Sequence, residues 1–293
     1  MIENFDGMSR AYVEIQQGCD HRCTFCIIPF GRGNNRSVPF ELIVKRVKKL
    51  VSKGYNEIVL TGVDITDYGL DITGAPSLST MIKNLLIRVP DLKQLRLSSV
   101  DCAEIDENFW ELLKYEKRLM PHLHLSLQSG DNIILKRMKR RHNREQAIEF
   151  CKKAKSLRPD IIFGADLIVG FPTESDKMFE NTIKLIEECD LTFLHVFQYS
   201  QKIGTPASRM PQVENFIKKK RSKILREIAE GRYSNFLKKF IGKKKKVLIE
   251  KKTEEYSIGR TQEYSLVKIN KNLRVGNIYD IKIKSIDEKF LVA

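Results

Sequence analysis

Three cysteines lie within eight residues of one another near the start of the chain, in the order Cys19, Cys23 and Cys26. This C-x3-C-x2-C spacing allows three thiolates on one short loop to hold a single metal centre from one side. Three thiolates are one fewer than a closed tetrahedral site requires, so one position stays open to a ligand that is not protein. We therefore expect an iron–sulfur cluster with one open iron at this loop.

Two other uses of these cysteines stay open on spacing alone. A zinc site would need a fourth ligand, and His21 lies only two residues from both Cys19 and Cys23, which makes shared chelation awkward. A disulfide would leave one cysteine over and is unusual in the cytosol. The remaining cysteines are scattered, and we expect them to be small buried side chains: Cys102, Cys151 and Cys189.

The elements around this loop repeat a strand–helix unit. Residues 10–17 alternate apolar and polar side chains, as a strand does, and lead directly into the cysteine loop. Further strands are predicted at 57–62, 94–99, 122–127, 161–169 and 192–199. Helical patterns follow at 39–54, 78–89, 107–115, 132–156 (broken near 142–143) and 175–188.

Six such alternations with short loops indicate a parallel α/β architecture with right-handed crossovers. A doubly wound sheet and a barrel are hard to separate by pattern. Polar or glycine residues end nearly every strand, and in barrels the active site is built on that rim. We therefore predict a partial (β/α)6 TIM-like barrel over residues 1–211.

The last third of the chain has a different pattern. Residues 212–240 predict one long basic linker helix, and residues 241–293 contain short strands separated by polar turns. About 55 residues of short strands favour a small all-β barrel of the oligonucleotide-binding (OB-like) kind.

The charge is concentrated in that last third. The formal net charge is +15, of which residues 212–293 carry +12 (22 Lys and Arg against 10 Asp and Glu). This asymmetry favours a polyanionic partner such as nucleic acid, although a lysine-rich solvated surface would look the same. Four adjacent cations form the densest patch, and we expect them to contact phosphates: Lys243, Lys244, Lys245 and Lys246. Tyr256 and Tyr264 can either stack on unpaired bases or pack in the barrel core.

Nothing in the sequence predicts a membrane protein. No apolar run approaches the ~20 residues of a transmembrane helix. The first residues have neither the basic start nor the apolar segment of a signal peptide. We expect a cytoplasmic location.

The cysteine motif, with Phe25 directly before Cys26 at the end of a first barrel strand, resembles the signature of radical S-adenosylmethionine (SAM) enzymes. The resemblance implies that SAM chelates the open iron of a [4Fe-4S] cluster through its amino and carboxylate groups. One electron from the cluster then breaks a C–S bond and releases a deoxyadenosyl radical. The cofactors supply this chemistry and the protein supplies binding and orientation, so we assign no catalytic side chain.

Several further segments resemble the radical methylthiotransferases, over nearly the whole chain. They are 18–29 with 32–33, 60–63 with 68–69, 96–99, 124–130 with 137–138, 166–174, and 197–200 with 204–207. Thr61-Gly62-Val63 is most similar to the branch that thiomethylates N6-threonylcarbamoyladenosine beside the tRNA anticodon, with the isopentenyladenosine branch as the alternative. The last 55 residues resemble the family's RNA-binding TRAM domain.

The resemblance implies specific contacts to SAM. The backbone of Gly62 and Val63 holds the SAM amino group, and Ser126 and Gln128 hydrogen-bond the cofactor. An ordinary turn and a solvated rim are the competing interpretations of these positions. The resemblance also implies that the three residues following the predicted strand 161–169 pass close to the adenine: Gly170, Phe171 and Pro172. A plain turn is the competing interpretation of this segment. A basic cluster follows the fourth predicted strand: Arg137, Lys139, Arg140 and Arg141. One of its members can bind the SAM carboxylate, and the others would face solvent or tRNA.

The resemblance also implies partners. The tRNA anticodon stem-loop would bind the lysine patch and Arg260, a reductase would supply electrons, and the chain would act as a monomer. Family members carry an additional N-terminal domain with three more cysteines. In this sequence, no such domain precedes the strand at residue 10. We therefore expect these residues to generate the radical, and a tRNA-binding protein that does not thiolate remains the alternative.

Overall fold

The computed structural model describes residues 8–293. Its first two thirds alternate strands and helices. The strands are β1 (Ala11–Gln17), β2 (Arg36–Ser37), β3 (Glu57–Gly62), β4 (Gln94–Leu97), β5 (Ser99–Val100), β6 (His122–Gln128), β7 (Ile162–Val169) and β8 (Leu191–Gln198). The helices are α1 (Ile28–Arg32), α2 (Phe40–Ser52), α3 (Leu78–Arg88), α4 (Glu107–Tyr115), α5 (Asn132–Met138), α6 (Arg144–Leu157) and α7 (Asp176–Glu188).

The strands form a curved parallel wall in two connected halves. The order is β2-β1-β3-β4 in one half and β5-β6-β7-β8 in the other. Only Ser98 separates β4 from β5. The two segments therefore follow each other along one strand position, which connects the two halves of the wall. All neighbouring pairs are parallel except β1 with the two-residue β2. The predicted partial TIM-like α/β barrel is confirmed.

Strand alternation decides what faces the helices and what faces the barrel lumen. Ala11, Val13 and Ile15 of β1 are fully buried in the main hydrophobic core, together with the apolar faces of the helices. Tyr12 and Glu14 lie on the opposite, exposed face of the same strand. Because successive side chains of a strand point to opposite faces, one face builds the core and the other lines the lumen.

The break that was predicted inside residues 132–156 is real and has a local cause. Lys139 ends α5 in the left-handed conformation, with φ 57°. Asn143 then starts α6 with a capping box, in which its side chain accepts from the Gln146 backbone N–H and Gln146 returns the contact. Two separate helices therefore replace one, and the turn between them carries Arg140 and Arg141.

A long helix and a second sheet complete the chain. Helix α8 (Asn215–Lys238) leads into a six-stranded sheet of order β12-β9-β10-β11-β14-β13. Its strands are β9 (Lys244–Lys252), β10 (Ser257–Thr261), β11 (Leu266–Ile269), β12 (Ile278–Lys282), β13 (Ser285–Asp287) and β14 (Phe290–Val292). Phe236, Leu237 and Phe240 at the end of this helix share a hydrophobic cluster with the sheet. A mostly-β C-terminal unit is confirmed.

Several short elements were not predicted. Ile28–Arg32 forms one helical turn with Pro29 near its start. The strands Arg36–Ser37 and Ser285–Asp287 have only two and three residues and exist through pairing with β1 and β14. Such short segments carry no periodicity of their own, because pairing with a distant strand defines them. Within residues 8–293, no helix is both long and apolar enough to cross a membrane.

Candidate metal and cofactor site

A cavity of about 450 Å³ opens at the carboxyl ends of the barrel strands. The three clustered cysteines line it on one side. Four of the residues predicted to bind SAM line it as well: Gly62, Val63, Ser126 and Gln128. These positions are far apart in sequence, and the parallel strands bring them to one rim, as a barrel site requires.

The cysteine loop is tied to the scaffold at several backbone positions. Gly18 has φ +70°, and a Cβ there would lie 1.9 Å from the carbonyl oxygen of Asn34, so only glycine fits where the loop begins. The N–H of Cys19 donates to Gly33 O at 3.1 Å. Thr24 donates to the carbonyl oxygen of Met138 through its backbone N–H (3.1 Å) and to that of Arg137 through its hydroxyl (2.7 Å). The loop is therefore held between α1 and α5.

The environment of the three thiols is uneven. Burial raises the pKa of Cys19 to about 11 and also raises the pKa of Cys26. Burial opposes ionisation of Cys23 as well, but a hydrogen bond from His21 and the charge of Arg140 outweigh it and lower the pKa of Cys23. Arg140 Nη1 lies 3.6 Å from the Cys23 sulfur.

Arg140 is the one member of the predicted basic cluster that lines the cavity. Its Nη2 contacts Asp101 and donates to Ser126 O at 2.8 Å, which fixes the guanidinium beside the cysteines. Arg137, by contrast, is exposed and donates to the Thr173 hydroxyl at 2.7 Å. The cluster is therefore divided between the cavity and the outer surface.

His21 faces a group of acids beside the cysteine loop. Its Nε2 lies 3.0 Å from Glu104 and 3.4 Å from both Asp64 and Asp67. Hydrogen bonds with Asp67, Cys23 and Glu104 raise the pKa of His21 to about 12. The Nε2 atom of His21 thus faces three carboxylates beside the cysteine loop.

The turn at Gly62 depends on the absence of a side chain. A Cβ at Gly62 would lie 2.8 Å from both the carbonyl oxygen and the side-chain oxygen of Gln16. The same Gln16 side-chain oxygen accepts from the N–H of Asp64 at 2.8 Å. The backbone of Gly62 and Val63 therefore approaches the first strand closely and is presented to the cavity, as a backbone contact to a ligand needs.

Gly170, Phe171 and Pro172 lie outside this cavity. Phe171 is fully buried, with its ring centroid 6.4 Å from that of Phe25 in the cysteine loop and 5.6 Å from that of Tyr199. The N–H of Gly170 donates to Glu174 at 2.7 Å. The segment thus supports the cysteine loop through Phe25.

A second, smaller cavity of about 240 Å³ occupies the lumen below the first. Thr61, Ser98 and Ser99 line both cavities, so the two are neighbours along the barrel axis. Four polar residues that line this lower cavity were not among the predicted site residues: Arg96, His122, His124 and His195. The alternation in β6 could have revealed two of them, because His122 and His124 share a strand face with Ser126 and Gln128.

The predicted RNA-binding residues divide into two groups. Lys243, Lys244 and Lys246 are exposed, whereas Lys245 pairs with Glu263. Arg260 lies 3.1 Å from Glu250 and 4.3 Å from the ring centroid of Tyr264.

Tyr264 belongs to the contact between the sheet and the barrel. Its ring stacks on His122 with a centroid distance of 5.1 Å and an interplanar angle of 15°. The ring of Tyr256 lies under Lys268, 4.9 Å from its Nζ.

The model of the radical SAM superfamily matches residues 13–186, more than half of the chain. A threonylcarbamoyladenosine tRNA methylthiotransferase (MtaB) of Rickettsia prowazekii is 52% identical over 291 residues, covering 99% of this chain and 68% of that protein. The MtaB of Thermotoga maritima is 35% identical, covering 99% and 67%. A tRNA-2-methylthio-N(6)-dimethylallyladenosine synthase of Orientia tsutsugamushi is 36% identical, covering 93% and 62%. The chain thus spans about two thirds of the length of these relatives.

Solved structures resemble the barrel at low sequence identity. The radical SAM methyltransferase TsrM of Kitasatospora setae, with cobalamin and a [4Fe-4S] cluster bound, has a TM-score of 0.56 at 16% identity and covers 68% of this chain and 36% of its own. Methylornithine synthase (PylB) has a TM-score of 0.51 at 16% identity and covers 74% of this chain and 61% of its own. These likenesses support the fold alone. The family model and the close relatives show that the chain belongs to the radical SAM superfamily and, within it, to the threonylcarbamoyladenosine tRNA methylthiotransferase family.

Proposed function

We propose that this chain is a tRNA methylthiotransferase that acts on N6-threonylcarbamoyladenosine next to the anticodon. The observation that carries the proposal is the single rim cavity in which three cysteines meet the predicted SAM-binding residues. The close relatives support the substrate, since the first two bear that activity in their names. The dimethylallyladenosine alternative has weaker support, because the relatives with that name are 34–36% identical against 52% for the first MtaB.

The donor set of the cavity fits a [4Fe-4S] cluster held by Cys19, Cys23 and Cys26. Three thiols and no fourth protein sulfur line the described part of this cavity, which leaves one coordination position for SAM. When bound, the cluster would supply the electron that cleaves SAM to a deoxyadenosyl radical.

The chain's own side chains hold and orient the cofactors in this proposal. Arg140, buried beside Cys23, would stabilise the thiolate and offer the guanidinium that pairs with the SAM carboxylate. The backbone at Gly62 and Val63 would bind the SAM amino group, and Ser126 and Gln128 would contact the rest of the cofactor. Gly170, Phe171 and Pro172 would act through Phe25, by keeping the cysteine loop in place near the adenine.

The C-terminal sheet would bind the tRNA. Lys244 and Lys282 lie opposite each other on β9 and β12, and both are exposed. Like charges opposite each other destabilise a sheet unless an anion lies between them, which supports a phosphate contact at this edge. Lys245 and Arg260 have intramolecular partners, so the exposed lysines would make the main contacts.

The proposal extends to organisation and partners. We assign residues 1–211 to the SAM barrel, 212–240 to the linker helix and 241–293 to the RNA-binding domain. A reductase would donate the electron, and the chain would act as a cytoplasmic monomer.

Anaerobic reconstitution tests the cofactor part of the proposal. We expect about four irons per chain and release of deoxyadenosine from SAM after addition of a chemical reductant. Cys23→Ala should lose both, because two remaining thiolates cannot hold the cluster. Cys102→Ala is the matched control, since this cysteine lies outside the cysteine loop, and it should retain both. Deoxyadenosine formation by the Cys23→Ala protein would contradict the assignment.

The reaction itself is tested with an anticodon stem-loop that carries N6-threonylcarbamoyladenosine. With SAM as the methyl donor and radical source, a chemical reductant, and inorganic sulfide as the sulfur source, mass spectrometry should detect the added methylthio group with this RNA and not with the dimethylallyl form. A methylthio product with the dimethylallyl form and not with the threonylcarbamoyl form would instead assign the chain to the dimethylallyladenosine branch.

A further inference from the structure

The lower lumen cavity holds a buried cation with unused hydrogen-bonding capacity. Arg96 is only 4% exposed and lines this cavity. Its Nε and Nη2 donate to the two carboxylate oxygens of Glu57 at 3.3 and 3.2 Å, and Nη2 also donates to Gln262 O. Its Nη1 is buried and has no hydrogen-bond partner within residues 8–293. A buried donor without a partner is costly, so a ligand that accepts from it would be stabilised.

The network around Arg96 has more positive than negative charge. Arg10, Arg96 and Arg260 are linked through Glu57 and Glu250, so three guanidinium groups meet two carboxylates. All three guanidinium groups also lie within 5.5 Å of the centroid of the Tyr264 ring. One more carboxylate would balance this partly buried network.

A pair of imidazoles, from His124 and His195, lines the same cavity. Asp166 Oδ1 lies 3.0 Å from His124 Nε2 and 3.2 Å from His195 Nδ1. The hydrogen bond with Asp166 orients the His195 ring and leaves its Nε2 for a ligand. The His195 side chain is 62% exposed, so a ligand can reach it.

We propose that Arg96 and His195 bind the carboxylate of the threonylcarbamoyl group and so select an anionic substrate in the lower lumen. This inference rests on the proposed function, because it assumes that the modified adenine enters the barrel with its reacting carbon toward the cysteine loop. The N6 substituent then extends past Thr61, Ser98 and Ser99 into the lower cavity.

The arrangement explains discrimination between the two substrates of the family. A threonylcarbamoyl group ends in a carboxylate and a hydroxyl, whereas a dimethylallyl group is apolar and uncharged. An apolar group in this cavity would leave the Arg96 Nη1 unpaired and would displace water from charged groups without compensation. The lumen therefore favours the anionic substituent.

The test changes one group on the ligand and one on the protein. Binding to the reconstituted chain is measured for two stem-loops that differ only in the threonyl terminus, one with the natural carboxylate and one with a carboxamide. The wild-type chain should bind the carboxylate form about 10- to 100-fold more tightly, the range of a charge-assisted hydrogen bond. Arg96→Met should bind both forms with similar affinity, and His195→Gln should narrow the difference several-fold.

Arg88→Met is the matched control. This arginine also pairs with a glutamate, Glu41, but lies on the outer surface and is 46% exposed. It should keep the wild-type preference. Because Arg96 also holds Glu57, thermal unfolding of each variant checks that the fold is retained, and His195→Gln provides a test that does not disturb this ion pair.

Each outcome decides between the two claims. Equal binding of both forms by the wild-type chain, or the same reduction in affinity for both forms in Arg96→Met, would overturn the assignment while leaving the proposed function intact. Failure of the wild-type chain to cleave SAM or to bind either stem-loop would overturn the proposed function and the inference with it.

Discussion

Asp166 illustrates how one residue sets the state of its neighbours. Burial would raise its pKa, but hydrogen bonds with His124 and His195 outweigh this and hold the pKa of Asp166 well below its usual range. The same hydrogen bond raises the pKa of His195. The carboxylate and the protonated imidazole therefore stabilise each other, and His195 keeps its proton to a higher pH than a free histidine does.

This state predicts a pH dependence for the substrate preference. Protonated His195 donates from Nδ1 to Asp166 and from Nε2 to the substrate carboxylate. When pH rises through the raised pKa, the proton on Nε2 is lost, and this atom becomes an acceptor that repels the carboxylate. Raising the pH from about 6 to about 9 should therefore reduce the ratio of carboxylate to carboxamide affinity.

His195→Gln removes the titrating group and should make this ratio much less dependent on pH. Two other groups face His195, Asp166 from β7 and the His124 ring at 4.4 Å from β6, and both remain in the variant. A ratio that does not change with pH in the wild-type chain would contradict the role of His195.

At the scale of elements, the hairpin of β10 and β11 connects the C-terminal sheet to the barrel. Tyr264 lies at its turn with φ 77°, an uncommon conformation for a residue with a large side chain. Its ring contacts His122 at the start of β6 and lies 4.8 Å below the guanidinium carbon of Arg96 in β4. The hairpin therefore forms one wall of the lower lumen cavity as well as a domain contact.

Tyr264→Ala should weaken this contact. We expect the free energy of unfolding to fall by about 2–3 kcal/mol, because the variant lacks the aromatic ring that packs between the two units. Chemical denaturation measures this change. Tyr256→Ala is the control, in the turn between β9 and β10 of the same sheet. Within residues 8–293, the recorded contact of the Tyr256 ring is with Lys268. This substitution should lower the free energy of unfolding by less than about 1 kcal/mol. Equal decreases in the two variants would show that Tyr264 does not connect the units.

At the scale of the whole molecule, the charges and the cavities occupy different parts. Residues 212–293 carry +12 of the net +15, whereas the cofactor cavity lies in the barrel, at the other end of the chain. The lysine patch would therefore provide affinity and position for the RNA, and the lumen would provide selectivity for the modified base.

The salt dependence of RNA binding tests this division. Replacing Lys243, Lys244 and Lys246 together by Gln should lower the slope of log K against log salt concentration by about 2–3, close to one for each phosphate that the variant no longer neutralises. The preference for the carboxylate form should not change. The control replaces three exposed lysines of α2 and α3, Lys45, Lys48 and Lys83, which removes the same charge from the barrel exterior. An equal drop in slope for both triple variants would indicate a nonspecific effect of net charge.

Much of the architecture could be predicted because it depends on local patterns. The segment 57–62 and the helix 107–115 have the predicted bounds, since apolar periodicity and capping residues are properties of a short segment. The cysteine spacing likewise predicted a metal-binding loop, and the three cysteines line one cavity in the structure. The pairing of β2 with β1 had no such signal, because it depends on the approach of two distant segments.

The sequence by itself therefore determined the elements, the family and the cysteine loop, for which neighbouring residues are sufficient. Only the tertiary structure decided which polar side chains share a cavity. It separated Phe171 from the rim, selected Arg140 from four basic residues and placed Arg96, His124 and His195 around one lumen. The physical reason is that burial and hydrogen-bond satisfaction depend on neighbours contributed by other strands, and the unpaired nitrogen of Arg96 is visible only once all of those neighbours are in place.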